Sequence, residues 1–191
     1  MSKFVRIALL VALGVVTAAS AALAVVPDPT FSTCGSCLVL TPGGDPALTF
    51  TVSVRDQFNN PISGSNVVID FGSCPIYICT VQDAGFTSTA TTISGSTSLA
   101  GLVTFTPRGS LGASCTVKVY ADGVQICSLP FVSSPDLNQD YLVDVSDLAF
   151  LAADMVSYNV ESDLNCDGLV DVSDLALLAE NMILTSAGNC P

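Results

Sequence analysis

The sequence predicts a mainly β sandwich followed by a small all-α unit, and three observations carry that expectation. Residues 31–134 are rich in Ser, Thr, Val and Gly, with apolar residues at alternate positions, the period of a half-buried strand. Beyond Pro135 the chain carries eleven acids and no Lys or Arg, so composition changes sharply there. Within that acidic region a twelve-residue segment recurs at a spacing of 27 residues, and each copy runs into an apolar pattern of helical period.

The first segment is expected to leave before the protein acts. Lys3 and Arg6 precede an unbroken run of apolar and small residues from Ile7 to Ala19, and Ala22-Leu23-Ala24 places small residues at −3 and −1. That is the pattern of a signal peptide over residues 1–24, which implies secretion. The alternative is a retained membrane anchor, but the apolar run is short for a span of roughly 20 residues, and because no later stretch could cross a bilayer no membrane insertion is expected after cleavage. The formal charge is −12, with no His, and only Arg55, Arg108 and Lys118 are basic beyond residue 24. Three scattered cations cannot make a phosphate-binding surface, so nucleic acid and anionic membranes are not expected partners. Hard cations are.

Strands follow in order. Leu48, Phe50, Val52 and Val54 alternate with Thr49, Thr51, Ser53 and Arg55, and the polar turn Asp56-Gln57-Phe58-Asn59-Asn60-Pro61 ends the run. Val67 to Phe71, Thr87 to Ile93 and Leu102 to Thr106 are further strands. Thr116 to Tyr120 and Val124 to Cys127 flank Ala121-Asp122-Gly123, and Asp-Gly between alternating strands predicts a hairpin, because the tight turn needs positive φ. About seven short strands in about 100 residues is the pattern of an immunoglobulin-like sandwich, here residues 25–132. Ser133-Ser134-Pro135 is expected as a linker.

The stretches VSVRDQFNNPISGSNVVIDF and AGLVTFTP resemble bacterial immunoglobulin-like repeats of the invasin or intimin kind. That resemblance implies a spacer or adhesive module rather than a catalyst.

All eight cysteines lie beyond residue 24, and an even number in an exported chain reads as up to four disulfides. Cys34-Gly35-Ser36-Cys37 has redox spacing, but no helical pattern follows to lower a thiolate pKa, so structural bridging is expected. With no His, a thiolate zinc site is disfavoured. Pro75-Ile76-Tyr77-Ile78 makes a short closed loop between Cys74 and Cys79, which are expected to pair. Three connectivities remain open for Cys34, Cys37, Cys115 and Cys127, and a two-residue turn at Asp122-Gly123 sets Lys118 rather than Cys115 opposite Cys127.

The duplicated segment carries the functional reading. Its copies begin at Asp136 and Asp163, and both place oxygen side chains at loop positions 1, 3, 5, 9 and 12, with Leu at position 7 to offer a carbonyl. This is the ligand layout of an EF-hand calcium loop. Four acids in each twelve-residue loop would repel one another unless a divalent cation neutralised them. Magnesium fits less well, because it demands tighter octahedral geometry and keeps its waters. Position 12 is Asp in both copies, so the shorter carboxylate must draw its helix closer. Position 6 is Gly168 in one and Tyr141 in the other, and Tyr at positive φ is strained, so weaker binding is expected at the first loop.

Each loop leads into a helix, Ser146–Met155 and Ser173–Met182. Leu148, Leu151, Ala152 and Met155 are spaced as one apolar face, and Leu175, Leu178, Ala179 and Met182 repeat it. Val132-Ser133-Ser134-Pro135 cannot form the preceding helix of a full EF-hand.

A loop followed by one helix, duplicated as DLNQDYLVDVSDLAFL and DLNCDGLVDVSDLALL, resembles a type I dockerin over residues 136–184. The resemblance implies a small all-α calcium-binding dockerin-like domain (an F-hand duplicate) over residues 136–191. It implies two Ca2+ ions, one held by Asp136, Asn138, Asp140, Leu142 (carbonyl), Asp144 and Asp147. The other would be held by Asp163, Asn165, Asp167, Leu169 (carbonyl), Asp171 and Asp174. It further implies that Val145-Ser146 and Val172-Ser173 recognise a cohesin module, on a surface of near two-fold symmetry. Cys166 stands at a non-ligand position, and a bridge to Cys190 is expected to clamp the chain end against the second loop.

The function expected is that of a secreted, non-catalytic adaptor. Its calcium-folded tail would attach an immunoglobulin-like module to a cohesin-bearing scaffold or cell surface, in what the resemblance implies is a polysaccharide-degrading, cellulosome-like assembly. Two alternatives keep the tail and change the sandwich. A small glycoside hydrolase would need two carboxylates across a cleft, and no pair stands out among Asp28, Asp45, Asp56, Asp70, Asp83 and Asp122. A carbohydrate-binding module would stack sugars on aromatic rings, for which the Trp-less sandwich offers Tyr77 and Tyr120.

Overall fold

The computed structural model describes residues 25–187, with side chains to residue 182; the signal-peptide segment 1–24 and Cys190 lie outside the described residues. Ten strands form three sheets. The strands β1 (Thr33–Cys34), β2 (Phe50–Ser53) and β7 (Leu102–Phe105) make the first sheet, in the order β1-β2-β7. The second has the order β10-β9-β3-β6-β5, from β3 (Asn66–Asp70), β5 (Thr87–Ser88), β6 (Thr92–Ser96), β9 (Val117–Ala121) and β10 (Val124–Leu129). The third pairs β4 (Tyr77–Ile78) with β8 (Gly109–Ser110). Helices α1 (Val145–Asp154) and α2 (Val172–Ala187) follow.

Alternation builds the main core as the pattern requires. Phe50, Val52 and Val54 are buried with Val103 and Phe105 from the first sheet, and Val67, Ile69, Ile93, Val117 and Val119 join them from the second. One apolar cluster thus fills the space between two sheets, a β-rich arrangement compatible with an immunoglobulin-like sandwich. Leu48 departs from its expected face and packs against a different cluster, beside the helices.

Two turns shape the second sheet. Asp122 and Gly123 both take positive φ (48° and 83°), and β9 and β10 pair across them. A bulge between Gln125 and Cys127 then shifts the register, so that Val119, not Lys118, faces Cys127. The run Thr87–Ile93 is not one strand. Thr89 Oγ1 accepts the N–H groups of Thr91 (3.2 Å) and Thr92 (3.0 Å), folding the chain back so that β5 pairs with β6.

The expected all-α tail is not seen. The chain is mainly β with two helices, and the acidic region is completed by the β body. Val143, Leu151, Leu164, Val170 and Leu178 share their cluster with Val39, and Cys37 and Leu48 pack against it. Each fully buried Leu is worth about 1.5–3 kcal/mol, and two helices of this length cannot bury enough apolar surface alone. The buried helix faces also differ from expectation. Leu148, Leu151, Leu177, Leu178 and Asn181 turn inward, whereas Ala152, Met155 and Ala179 are exposed. The acidic Asp147 and Asp174 take inward places, which rotates the stripe.

Ser133, Ser134 and Pro135, expected as a linker, are buried. Ser133 N–H donates to Leu38 O (3.0 Å), and Leu40 N–H donates to Ser133 O (2.9 Å). Ser133 Oγ–H donates onward to Val160 O (3.2 Å), so this segment joins both halves.

Three disulfides are seen, Cys34–Cys127, Cys37–Cys166 and Cys74–Cys115, and among the described residues no cysteine is free. Cys34–Cys127 links β1 to β10 and thereby the two larger sheets (Cα–Cα 6.5 Å). The expected Cys74–Cys79 bridge is replaced by Cys74–Cys115 (Cα–Cα 5.7 Å). Of the intervening residues Tyr77 and Ile78 are extended as β4, at about 3.3 Å per residue, and Cys79 continues along β8 to donate its N–H to Arg108 O (3.1 Å). The expected Cys166–Cys190 bridge gives way to Cys37–Cys166 (Cα–Cα 5.7 Å), across a sequence separation of 129. Cys37 packs against the apolar cluster beneath the helices, which sets it beside the second loop and gives Cys166 its partner there.

Candidate metal centre

The duplicated loops fold by local hydrogen bonds that their short polar side chains supply. Asp136 Oδ1 accepts from Asp140 N (3.1 Å) and Oδ2 from Tyr141 N (3.0 Å), while Asp140 Oδ1 accepts from Leu142 N (2.9 Å). Asp163 Oδ1 accepts from Asp167 N (3.1 Å) and Oδ2 from Gly168 N (2.9 Å), while Asp167 Oδ1 accepts from Leu169 N (2.9 Å). Asn138 Oδ1 and Asn165 Oδ1 each accept from the Asp two residues on, both at 2.9 Å. The spacing of polar side chains drives the coil, because Asx turns reward such contacts.

Position 12 closes each ring. Asp147 Oδ1 accepts from Leu137 N (2.8 Å) and Asn138 N (3.1 Å), and its Oδ2 accepts from Asp144 N (2.8 Å). Asp174 repeats this with Leu164 N (2.8 Å), Asn165 N (3.2 Å) and Asp171 N (2.9 Å). The same carboxylates begin the helices. Asp144 caps α1, accepting from Ser146 N (2.7 Å), and forms a capping box with Asp147. Asp171 Oδ1 likewise accepts from Ser173 N (2.7 Å). The shorter Asp at position 12 thus draws each helix start onto its loop.

Non-ligand positions absorb the curvature. Gln139 and Cys166 at position 4, and Tyr141 and Gly168 at position 6, take φ of 65°, 56°, 70° and 90°. Only Gly does so without strain.

Charge is what the loops leave unbalanced. Asp136, Asp147, Asp163 and Asp174 are all buried, and the ion pair formed among the described residues, Arg108–Asp83 (2.7 Å), lies elsewhere. Buried carboxylates without a cation are costly even when hydrogen-bonded. Burial raises the Asp147 carboxyl above the ordinary range, and the Asp136 charge adds to this against the pull of three backbone N–H groups. The Asp144 carboxyl is lowered, first by the Ser146 hydroxyl and then by the Ser146 N–H.

As they stand, among the described residues no group of three or more Asp, Glu or Cys side chains is arranged to hold a metal ion. The loop carboxylates are turned onto their own backbone instead. The donor chemistry nevertheless fits calcium: each loop offers oxygen donors, and Asp136 and Asp163 at position 1 and Asp147 and Asp174 at position 12 are buried with no basic partner among the described residues.

At the helix starts Val145 and Val172 are 70% and 73% exposed. Their neighbours differ. Ser146 is half-buried, its hydroxyl bonded to Asp144 Oδ1 (2.5 Å) and to Asn138 Nδ2 (2.7 Å), whereas Ser173 is exposed. The two pairs are therefore not equivalent.

The acids of the β body are dispersed. Asp45 is buried against Asn181 Nδ2 (2.9 Å), Asp83 pairs with Arg108, and Asp28, Asp56, Asp70 and Asp122 accept backbone N–H groups in turns. Tyr120 is half-buried in β9, and Tyr77 sets its ring edge-on to Tyr141 at 5.4 Å.

Several contacts that join the acidic region to the β body had no signal in the sequence. Ser110 Oγ–H donates to Asp136 Oδ2, and Ser114 N–H donates to Glu161 Oε1 (2.9 Å). Within the acidic region, Tyr158 O–H donates to Asp163 Oδ2 (3.0 Å), again without a signal. Asn181 alone has one, as a polar residue interrupting an apolar helix.

Among the described residues no helix is long and apolar enough to cross a membrane. Comparison of the chain with protein-family models, curated proteins and solved structures finds no match.

Proposed function

We propose that the protein is a secreted, non-catalytic adaptor whose two acidic loops bind calcium and present the helix starts to a cohesin-type module. One observation carries this reading: the two loops, 27 residues apart, fold by the same hydrogen bonds around buried carboxylates that have no basic partner among the described residues. Asp136, Asn138, Asp140, Leu142, Asp144 and Asp147 would hold one Ca2+, and Asp163, Asn165, Asp167, Leu169, Asp171 and Asp174 the other. The ion supplies the positive charge each loop lacks and so couples calcium to the stability of the acidic region. Three disulfides support an oxidising, extracellular setting. The dockerin resemblance supports attachment of the β body to a scaffold or cell surface within a polysaccharide-degrading assembly, through Val145, Ser146, Val172 and Ser173.

Calorimetric titration of the full chain tests this. Uptake of two calcium ions is expected, with loss of both after combined Asp147→Ala and Asp174→Ala, and no heat of binding in the unaltered protein would overturn it. Capture by an immobilised cohesin module should occur in calcium and cease in EDTA.

A further inference from the structure

The position-1 aspartates carry a feature that the loops themselves do not supply. Asp136 Oδ2 accepts Tyr141 N–H (3.0 Å) and also the hydroxyl of Ser110, a buried residue of β8. Asp163 Oδ2 accepts Gly168 N–H (2.9 Å) and also the hydroxyl of Tyr158, from the segment between the helices (3.0 Å). A carboxylate oxygen has about two lone pairs. In both loops two donors fill Oδ2, whereas Oδ1 takes the single N–H of Asp140 (3.1 Å) or Asp167 (3.1 Å). The hydroxyl therefore decides which oxygen keeps a lone pair for a cation.

The source of that hydroxyl differs between the loops. Tyr158 belongs to the acidic region, but Ser110 belongs to the β body, and its register partner across the two-stranded sheet is Tyr77. The Tyr77 ring meets Tyr141 edge-on at 5.4 Å. One small sheet thus grips loop positions 1 and 6, and position 6 is where the first loop carries Tyr at φ 70° in place of Gly.

We infer that the first calcium site is composite: Ser110 and Tyr77 of the β body are positioning residues that orient Asp136 and hold the strained Tyr141 turn, whereas the second site is oriented from within the acidic region by Tyr158. The inference rests on the calcium reading above and extends it to residues outside the loops. A hydroxyl donor behind a metal-binding carboxylate removes the cost of turning it when the ion arrives, and losing such a partner lowers metal affinity by about 10- to 100-fold.

Calcium titration by calorimetry, with the full chain and one site disabled at a time, tests this. In an Asp174→Ala background, where the first loop alone binds, Ser110→Ala should weaken affinity by about tenfold or more. In an Asp147→Ala background, where the second alone binds, Ser110→Ala should change nothing and Tyr158→Phe should weaken it. Tyr77→Ala should act like Ser110→Ala, and Tyr77→Phe, which keeps the ring, should not. Ser110→Ala also takes a donor from a buried carboxylate, so the calcium-free protein should melt at a lower temperature; selective weakening at the first loop, with the second loop's affinity unchanged, is the readout that a role in stability alone would not give. Unchanged first-loop affinity in Ser110→Ala, or equal loss at both loops, overturns the inference. If the unaltered protein takes up no calcium, the underlying calcium reading fails first.

Discussion

The two acidic loops share a sequence frame and a hydrogen-bond frame, yet they are held in place by different means. The second has Gly168 at its tightest turn, and the disulfide Cys37–Cys166 ties its position 4 to the β body. The first has Tyr141 at that turn and no such covalent tie, and it leans instead on Ser110 and Tyr77. Duplication conserves what a loop needs locally, namely oxygen donors at alternate positions and an Asp to start the helix. It does not conserve the tertiary support, because each copy faces a different part of the β body. The difference shows how one backbone solution can be stabilised covalently in one copy and by packing in the other.

Removing the covalent tie should have the largest effect. Combined Cys37→Ser and Cys166→Ser opens a closed loop spanning 129 residues and should lower stability by about 3–5 kcal/mol in denaturant unfolding. Hydrogen exchange should place the greater loss of protection in the second loop; equal loss in both would mean that the tie supports the whole acidic region alike. Next, Leu151→Ala and Leu178→Ala remove equivalent fully buried side chains, one from each helix, and should each cost about 2–5 kcal/mol. Similar values would show one shared core rather than two helices packed separately.

The smallest effects concern position 6. Gly168→Tyr imposes positive φ on a side chain that meets nothing within 4 Å of its Cβ, and should cost about 1–2 kcal/mol. The reverse change, Tyr141→Gly, relieves strain but discards the edge-on ring contact with Tyr77, worth about 0.5–1.5 kcal/mol. Its net effect should lie within about 1 kcal/mol. A clear gain in thermal stability from Tyr141→Gly would show that the ring contact contributes little.

Much of this is readable from the chain. The period-two alternation through Phe50, Val52 and Val54 marks the buried face of its strand, and Asp122-Gly123 marks the hairpin, because both signals act over a few residues. The loop frame is legible for the same reason: the backbone N–H groups that the side-chain oxygens of Asp136, Asn138 and Asp140 accept lie at most five residues away. The helix faces are harder. The apolar spacing favours Ala152 and Ala179, but the inward places go to Asp147, Asp174 and Asn181, which find polar partners in the loops and at Asp45. Pattern alone cannot show that a buried polar residue has its partner waiting.

What the residues alone determine is whatever is decided over a turn or two: the alternation of the strands, the tight turn at Asp122, the oxygen side chains of the paired loops and the Asp residues that begin each helix. Tertiary structure decides the rest, namely that Cys37 meets Cys166, that Val39 and Leu48 complete the core beneath the helices, that Ser133 is buried, and that Ser110 reaches Asp136. The reason is physical. Local geometry follows from dihedral preferences and short-range hydrogen bonds, whereas the meeting of residues far apart in the chain depends on how complete surfaces exclude water together, and no single stretch of chain records that.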